Sequence, residues 1–276
     1  MYTLNCKGKI LNLQTPQVMG ILNLTDDSFY EGYLNESNAQ LIERAGAMIR
    51  AGASILDIGG QSTRPKSTRI TATDEAQRVI PAIENILQHF PEAILSIDTY
   101  YSEVAAKAVN AGAAIINDIS GGNMDPQMIA TAGSLSVPYI CMHMQGRPET
   151  MQENPTYEDV TREVLEFFIQ KKQECRKAGI KDLVIDPGFG FGKTIQHNFT
   201  LLKNLAAFKI LDLPVLAGLS RKSTISKTLN ITAAESLNGT TVLNTIALMN
   251  GASILRVHDV KEAIESVKLV EAYNTN

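Results

Sequence analysis

The sequence lacks any long apolar run. No segment of its 276 residues reaches the roughly 18 consecutive apolar residues of a membrane span, and residues 1–10 hold no run of signal-peptide length. It also lacks an excess of charge, because 25 Lys and Arg oppose 29 Asp and Glu, for a formal net charge of -4. We therefore expect a cytoplasmic protein with no membrane span and no general attraction to nucleic acid or anionic membranes.

Cysteine is scarce as well. Cys6, Cys141 and Cys175 are an odd number without metal-ligand spacing, which argues against a disulfide framework and fits reduced thiols in a reducing compartment. Cys141 lies inside an apolar run, a position typical of a core residue rather than a nucleophile.

The chain has the length of a single α/β barrel, an architecture that routinely reaches about 250 residues. No low-complexity linker divides it, so we expect one domain over residues 1–276. Residues 2–13 alternate around Lys7, Gly8 and Lys9. This pattern predicts a short hairpin within residues 1–15 that closes the bottom of the larger fold.

From Gln17 onward one unit recurs: a short apolar run that ends in polar residues or glycine, then a segment with helical periodicity. Eight such units favour a closed (β/α)8 barrel, the TIM barrel, over a doubly wound open sheet, which is the second choice. The predicted strands are 18–24, 54–58, 93–97, 114–116, 137–142, 183–185, 214–219 and 253–257. The predicted helices are 38–51, 72–89, 102–111, 125–133, 156–178, 196–208, 236–250 and 260–273.

Polar residues stand at or near the end of every predicted strand. In a barrel these carboxyl ends converge on one face, where active sites of this architecture lie. The long connections 25–36 and 59–72 follow the first two strands and are predicted to cover that face. The strand-end residues are Asn23, Asp57, Asp98, Asn117, Asp118, His143, Asp186, Arg221, Lys222, Arg256 and His258.

In the stretch 182–194 an apolar run ends at Asp186 and glycine then alternates with phenylalanine. It is not a P-loop, because only three residues separate Gly188 from Gly192 and Pro187 stands where the first glycine should be. The spacing also fails the dinucleotide fingerprint. These residues alone support two interpretations equally well. Either the stretch is a ligand-binding surface beside a carboxylate, or Asp186 caps a helix and the phenylalanines belong to the core.

Longer motifs resemble those of the dihydropteroate synthases, a pterin-binding TIM-barrel family, in the same order and over nearly the whole chain. They are MGILNLT at 19–25, DSF at 27–29, DIGG at 57–60, STRP at 62–65, SIDT at 96–99, IND at 116–118, MHMQG at 142–146, DPGFGF at 186–191, SRKS at 220–223 and RVHDV at 256–260. The resemblance implies condensation of 7,8-dihydropterin-6-ylmethyl diphosphate with 4-aminobenzoate, with Mg²⁺ and as a homodimer.

The resemblance also assigns roles to residues. It places Asp98, Asn117, Asp186 and Lys222 on the pterin, with Asp98 and Lys222 as the catalytic residues. An ionised Asp186 could accept parallel hydrogen bonds from the 2-amino and ring N–H groups. The remaining assignments are Arg64, Arg256 and His258 for diphosphate; Thr63, Pro65, Phe191 and Ser223 for 4-aminobenzoate; Phe29 as a lid residue; and Asn23 for Mg²⁺.

Two positions depart from the family pattern: Asp26 replaces the usual Pro and Gln61 the usual Glu. Both fall in the loops predicted to cover the site, so they bear on the 4-aminobenzoate step rather than on the residues assigned to the pterin. One alternative is a catalytically inactive pterin-binding paralogue. A second is a methyltetrahydrofolate-dependent methyltransferase, which would not need residues 63–65 or the Arg256 and His258 pair.

Weaker alternatives concern single residues. A Schiff-base aldolase acting through Lys222 is disfavoured, because this lysine sits in a loop rather than pointing from a strand into an apolar pocket. His143 could be a core histidine, and Asp57 could anchor the second loop. Asp118 and Asp259 could cap helices.

Overall fold

The N-terminal segment forms an antiparallel hairpin, as predicted. The computed structural model describes residues 2–24, 38–61 and 69–275. Strands β1 (Thr3–Cys6) and β2 (Lys9–Asn12) pair with each other, and Lys7 and Gly8 make the turn with positive φ.

Among the described residues, the remaining eight strands are parallel and form a barrel. They are β3 (Gln17–Asn23), β4 (Ile55–Gly59), β5 (Leu95–Asp98), β6 (Ile115–Asp118), β7 (Tyr139–Met142), β8 (Leu183–Asp186), β9 (Leu216–Ala217) and β10 (Ile254–Val257). Neighbours in the sheet follow the chain from β3 to β8, while β10 lies between β3 and β9. The ring closes where Ile185 of β8 bridges Val215, just before β9. A doubly wound sheet is therefore excluded.

Helices follow the strands and pack outside them. Within the described residues they are α1 (Asn38–Arg50), α2 (Ala72–His89), α3 (Ser102–Asn110), α4 (Met128–Leu135), α5 (Val160–Lys177), α6 (Ile195–Lys203), α7 (Ser223–Leu229), α8 (Leu237–Met249) and α9 (Val260–Thr275). Their apolar faces and the outward side chains of the strands form the main core.

Three helix predictions were wrong in detail and one helix was missed; the first of the three, α4, begins at Met128 rather than at residue 125. Helix α5 begins at Val160 rather than at residue 156, because the Asp159 carboxylate caps it by accepting from the backbone N–H groups of Thr161 and Arg162. The predicted helix 196–208 divides into α6 and a 3₁₀ helix at Leu205–Leu211. Helix α7 was missed, since its seven residues are rich in Ser and Thr, which are weak helix formers.

A second core cluster fills the amino-terminal end of the barrel. Inward side chains of the strands, such as Met19, Ile140 and Ile254, meet Leu4 and Leu11 of the hairpin. The hairpin therefore closes this end of the barrel, as the sequence predicted, and polar side chains concentrate at the other end.

Candidate active site

Strand-end side chains lie next to one another because the register of the parallel strands pairs their last residues. Asn23 pairs with Gly59, Gly59 with Asp98, and Asp98 with Asn117 across β3 to β6. A Cβ on Gly59 would lie 3.3 Å from Asn23 Oδ1 and 3.6 Å from Asp98 Oδ2. The glycine therefore lets an amide oxygen and a carboxylate oxygen approach the same point of the strand.

Arg256 links two carboxylates of this ring. Its Nε donates to Asp57 Oδ2 and its Nη2 to Asp98 Oδ2, both at 2.6 Å. Asn117 Nδ2 also donates to Asp57 Oδ2, at 3.0 Å. Asp57 is fully buried and holds Arg256 and Asn117 in place, whereas its role as an anchor of the second loop stays a prediction.

Burial sets the charge balance of this network. It raises the pKa of Asp98 to about 7, although Arg256 opposes the change. Burial alone would lower the pKa of Arg256, but Asp57 and Asp98 more than offset it and the pKa is raised. Arg256 therefore stays charged, while Asp98 titrates near neutrality.

Glu75, on α2 behind this network, is a buried carboxyl that we did not predict. Burial raises its pKa to about 8; Thr99 lowers the pKa and Asp98 raises it. Within the described part of the chain, neither of its carboxylate oxygens has a hydrogen-bond partner of normal geometry. Helical periodicity could have identified it, because Glu75 lies on the same buried face of α2 as Val79 and Ile86.

Asp186 and Lys222 face each other at the opposite side of the ring. Gly218 leaves the space between them, since a Cβ there would lie 3.7 Å from Lys222 Nζ and 4.0 Å from Asp186 Oδ2. Burial raises the pKa of Asp186 and lowers that of Lys222 to about 8, and in each case the partner charge opposes the change. Asp186 Oδ1 also accepts from the backbone N–H of Gly188 at 2.8 Å.

The two phenylalanines of the glycine-rich stretch have different surroundings. Phe189 is fully buried in the main core, as the core interpretation of this stretch held, and its carbonyl accepts from Lys222 Nζ. Phe191 is half-buried, with Lys222 Nζ 4.7 Å from its ring centroid and Met142 in the same apolar cluster. The helix-cap interpretation of Asp186 was wrong, because Thr194 caps α6.

Lys193 and His143 form a buried pair that the sequence did not reveal. Lys193 Nζ lies 2.9 Å from His143 Nδ1, 3.1 Å from the Gly188 carbonyl and 3.0 Å from the Phe191 carbonyl. Burial lowers the pKa of His143 to about 2 and that of Lys193 to about 7. No local pattern marks a lysine after a glycine as buried, so only the fold identifies this one.

His258 and Arg221 complete the strand-end groups. Ser220 Oγ lies 3.0 Å from His258 Nδ1. Arg221, another of the strand-end residues, makes a two-point ion pair with Asp259 at 2.7 and 2.8 Å and donates to two loop carbonyls. Asp259 thus anchors Arg221, which makes Arg221 a structural residue of this loop. Asp118 likewise organises the turn after β6, where it accepts from Ser120 and Gly122.

Asn23 is the residue assigned to Mg²⁺. The described residues hold no cluster of three or more His, Cys, Asp or Glu side chains that could bind a metal by themselves. Asn23 Oδ1 nevertheless lies beside Gly59, next to the Asp98 carboxylate. One neutral protein oxygen fits Mg²⁺, which binds through few protein ligands when phosphate oxygens and waters complete its shell.

Several assigned residues lie outside the described part of the chain: Phe29, Thr63, Arg64, Pro65 and the divergent Asp26. Gln61 is described and buried, and its Oε1 accepts from the Ile70 N–H at 3.0 Å and from the Tyr100 hydroxyl at 3.3 Å. Ser223 is exposed at the start of α7.

This fold and this ring of polar groups are those of a (β/α)8-barrel enzyme with its site at the carboxyl ends of the strands. A family model described as pterin binding enzyme matches residues 19–258. The dihydropteroate synthase of Escherichia coli K12 is 47% identical over 268 residues, 96% of this chain and 94% of that protein. That of Haemophilus influenzae is 42% identical over 98% of both chains.

Solved structures give the same result. The Yersinia pestis dihydropteroate synthase, in a complex with a sulfonamide drug, superposes with a TM-score of 0.95 at 40% identity over 100% of both chains. The Xanthomonas albilineans enzyme with 4-aminobenzoic acid gives 0.92 at 38% identity, over 99% of this chain and 98% of that one. The chain belongs to the pterin-binding enzyme family, among the dihydropteroate synthases.

Proposed function

We propose that the protein condenses 7,8-dihydropterin-6-ylmethyl diphosphate with 4-aminobenzoate, giving 7,8-dihydropteroate and diphosphate, a transferase step of folate synthesis. The observation that carries this proposal is that Asp98, Asn117, Asp186, Lys222 and Phe191 gather at one end of the barrel. Relatives 40–47% identical over nearly the whole chain are dihydropteroate synthases, and one related structure holds 7,8-dihydropteroate.

The pterin has a flat ring with hydrogen-bonding groups along its edge, which suits the buried acceptors at the strand ends. Asp186 as a carboxylate would accept two parallel N–H bonds from the ring, and Asp98 and Asn117 would meet the remaining edge. Lys222 would donate to the oxo and imine side. Each hydrogen bond to a charged group contributes roughly 1.5 to 3 kcal/mol, so a few of them fix orientation as well as affinity.

The reaction breaks the bond between the methylene carbon and a diphosphate oxygen, and forms a carbon–nitrogen bond to the aromatic amine. Departure of diphosphate leaves a cation conjugated with the pterin ring, which the Asp98 and Asp186 carboxylates would stabilise. No protein nucleophile is required, because the amine attacks directly and then releases its proton to solvent.

The leaving diphosphate needs positive charge. Arg256, His258 and Arg64 are the groups we assign to it, with Arg256 exchanging part of its contact with Asp57 and Asp98 for the phosphate oxygens. Mg²⁺, when bound beside Asn23, would supply charge neutralisation for the departing diphosphate.

The 4-aminobenzoate ring would pack against Phe191, next to Lys222, with Ser223 at the rim and Thr63 and Pro65 from the second loop. A sulfonamide is bound by the Yersinia pestis relative. Because a sulfonamide carries the same aromatic amine, we expect such compounds to compete with 4-aminobenzoate here.

A diphosphate-release assay tests the proposal. Purified protein is given both substrates with Mg²⁺, and the control omits 4-aminobenzoate; diphosphate and 7,8-dihydropteroate should appear together only in the complete mixture. Binding of the pterin diphosphate without product would refute the synthase and support the inactive pterin-binding paralogue. The methyltransferase alternative is disfavoured, because the Escherichia coli relative, 47% identical over nearly the whole chain, is a dihydropteroate synthase.

We propose further that the protein is a homodimer of the cytoplasm. Large apolar side chains are exposed on neighbouring helices, among them Leu229 of α7, Val242 and Met249 of α8, and Leu269 and Tyr273 of α9. Analytical ultracentrifugation of the wild type and of Met249→Lys tests the dimer, which the lysine should weaken.

The cytoplasmic location is supported by the three buried free thiols, which fit a reducing compartment. No helix in the described residues is long and apolar enough to cross a membrane.

A further inference from the structure

Lys193 occupies an unusual environment for a lysine. It is 3% exposed, and among the described residues its hydrogen-bond partners include no carboxylate. Its three N–H donors instead meet His143 Nδ1 and the carbonyls of Gly188 and Phe191, all at 2.9 to 3.1 Å. A buried ammonium without a hydrogen-bonded carboxylate is costly, even though the charge of Asp186 partly opposes the effect of burial on its pKa, so a position that holds one gains something in return.

The Lys193 ammonium stabilises the conformation of the loop at residues 188–192. Gly188, Gly190 and Gly192 have φ values of +70°, +83° and +60°, a conformation that other residues adopt at a cost. The backbone of this stretch makes one hydrogen bond within the loop, from the Phe191 N–H to the Gly188 carbonyl at 3.1 Å. Those same two residues turn their carbonyls toward Lys193 Nζ, so the cation joins both ends of the turn.

His143 is suited to complete this arrangement. Its ring packs edge-on against Phe167 at 4.9 Å, and as a neutral imidazole it offers Nδ1 as an acceptor when its proton is on Nε2. A carboxylate at this position would draw the ammonium toward itself. A neutral acceptor leaves the charge directed at the loop carbonyls.

The loop carries two elements next to the pterin and amine positions. One is the Phe191 ring, 4.7 Å from Lys222 Nζ, and the other is the Phe189 carbonyl, which accepts from Lys222. We propose that Lys193, paired with His143, is a positioning residue that fixes this loop so that Phe191 and Lys222 together form the subsite for the aromatic amine. The proposal rests on the proposed function for the identity of that amine.

Lys193→Met tests it, because methionine keeps the apolar stem and removes the ammonium. We expect KM for 4-aminobenzoate to rise at least tenfold. Affinity for the pterin diphosphate should fall by a smaller factor than KM rises, because Asp98, Asn117 and Asp186 lie on strands, although Lys222 also contacts the loop. Lys203→Met, an exposed lysine on the helix that follows the loop, is the matched control and should change neither constant by more than twofold.

A double-mutant cycle shows whether Lys193 acts through Phe191. In a Phe191→Leu background, Lys193→Met should add less than threefold to KM for 4-aminobenzoate, because the aromatic wall it positions is already gone. If the double variant instead raises KM by the product of the two single-variant factors, the residues act independently and the proposal is overturned. An unchanged KM in Lys193→Met alone would do the same.

Hydrogen exchange gives a readout that does not depend on the reaction. The amides of residues 188–192 should exchange at least tenfold faster in Lys193→Met, with those of β8 unchanged; uniform acceleration would overturn the proposal. Lys193→Gln, which keeps an N–H donor, is measured in parallel in case the methionine variant does not fold. Failure of both to fold would make Lys193 a residue of barrel stability and overturn the proposal. If the wild type has no synthase activity but Lys193→Met still shows faster exchange only at residues 188–192, the proposed function is refuted and the positioning role of Lys193 is not.

Discussion

Removing the ionisable carboxyl of Glu75 should make the stability of the folded protein less sensitive to pH. Glu75 is fully buried and has no hydrogen-bond partner of normal geometry among the described residues. Its pKa is about 8 in the folded protein against an ordinary value of 4.5. At about 1.36 kcal/mol for each pKa unit, ionising it inside the fold costs roughly 5 kcal/mol.

The sign follows from the direction of this pKa shift. The folded state holds the Glu75 proton more tightly than the unfolded state, so stability is greatest below about pH 4.5 and falls as pH rises through about 8. Between about pH 5 and pH 8, Glu75 alone should reduce the free energy of unfolding by roughly 3 kcal/mol. Glu75→Gln carries no ionisable group and should lack this part of the decrease.

Urea unfolding of wild type and Glu75→Gln at the two pH values measures the difference. The variant should be more stable than wild type at about pH 8 and near it at about pH 5. Glu84→Gln, at an exposed position of the same helix, is the control and should follow wild type. Equal pH dependence in wild type and Glu75→Gln would refute the reasoning, because Glu75 would then ionise in the folded state without cost.

Three further predictions concern the site. Asp186→Asn should weaken binding of the pterin diphosphate at least tenfold, about 1.4 kcal/mol, by calorimetry; unchanged affinity would remove Asp186 from the pterin floor. Wild-type affinity for the pterin should fall as pH drops below about 7, where Asp98 becomes protonated, and Asp98→Asn should flatten this part of the profile. Gly188→Ala should destabilise the protein by about 2 kcal/mol more than Gly179→Ala in urea unfolding. Both glycines have positive φ, but only at Gly188 would a Cβ meet a backbone oxygen, that of His143, at 1.9 Å.

The fold could be predicted from the sequence because each strand is an apolar run and each helix keeps its period. Helix α7 and the 3₁₀ segment at Leu205–Leu211 were missed, since short helices depend on packing more than on periodicity.

The strand-end residues of the site could also be predicted, because parallel strands bring their carboxyl ends to one face. Their partners could not. Nothing in the sequence shows that Arg256 holds Asp57 and Asp98, or that Phe189 faces the core while Phe191 faces Lys222. Such pairings depend on distances across the barrel.

The contact of Arg256 with Asp57 has a consequence for how the protein is made. The two residues are 199 positions apart, and Arg256 belongs to the last strand of the barrel. On the ribosome, Asp57 and Asp98 emerge long before the cation that neutralises them. A chain that stops before β10 would leave both carboxylates without this partner in a buried setting, so we expect the charge arrangement of the site to form only after the whole barrel has been synthesised.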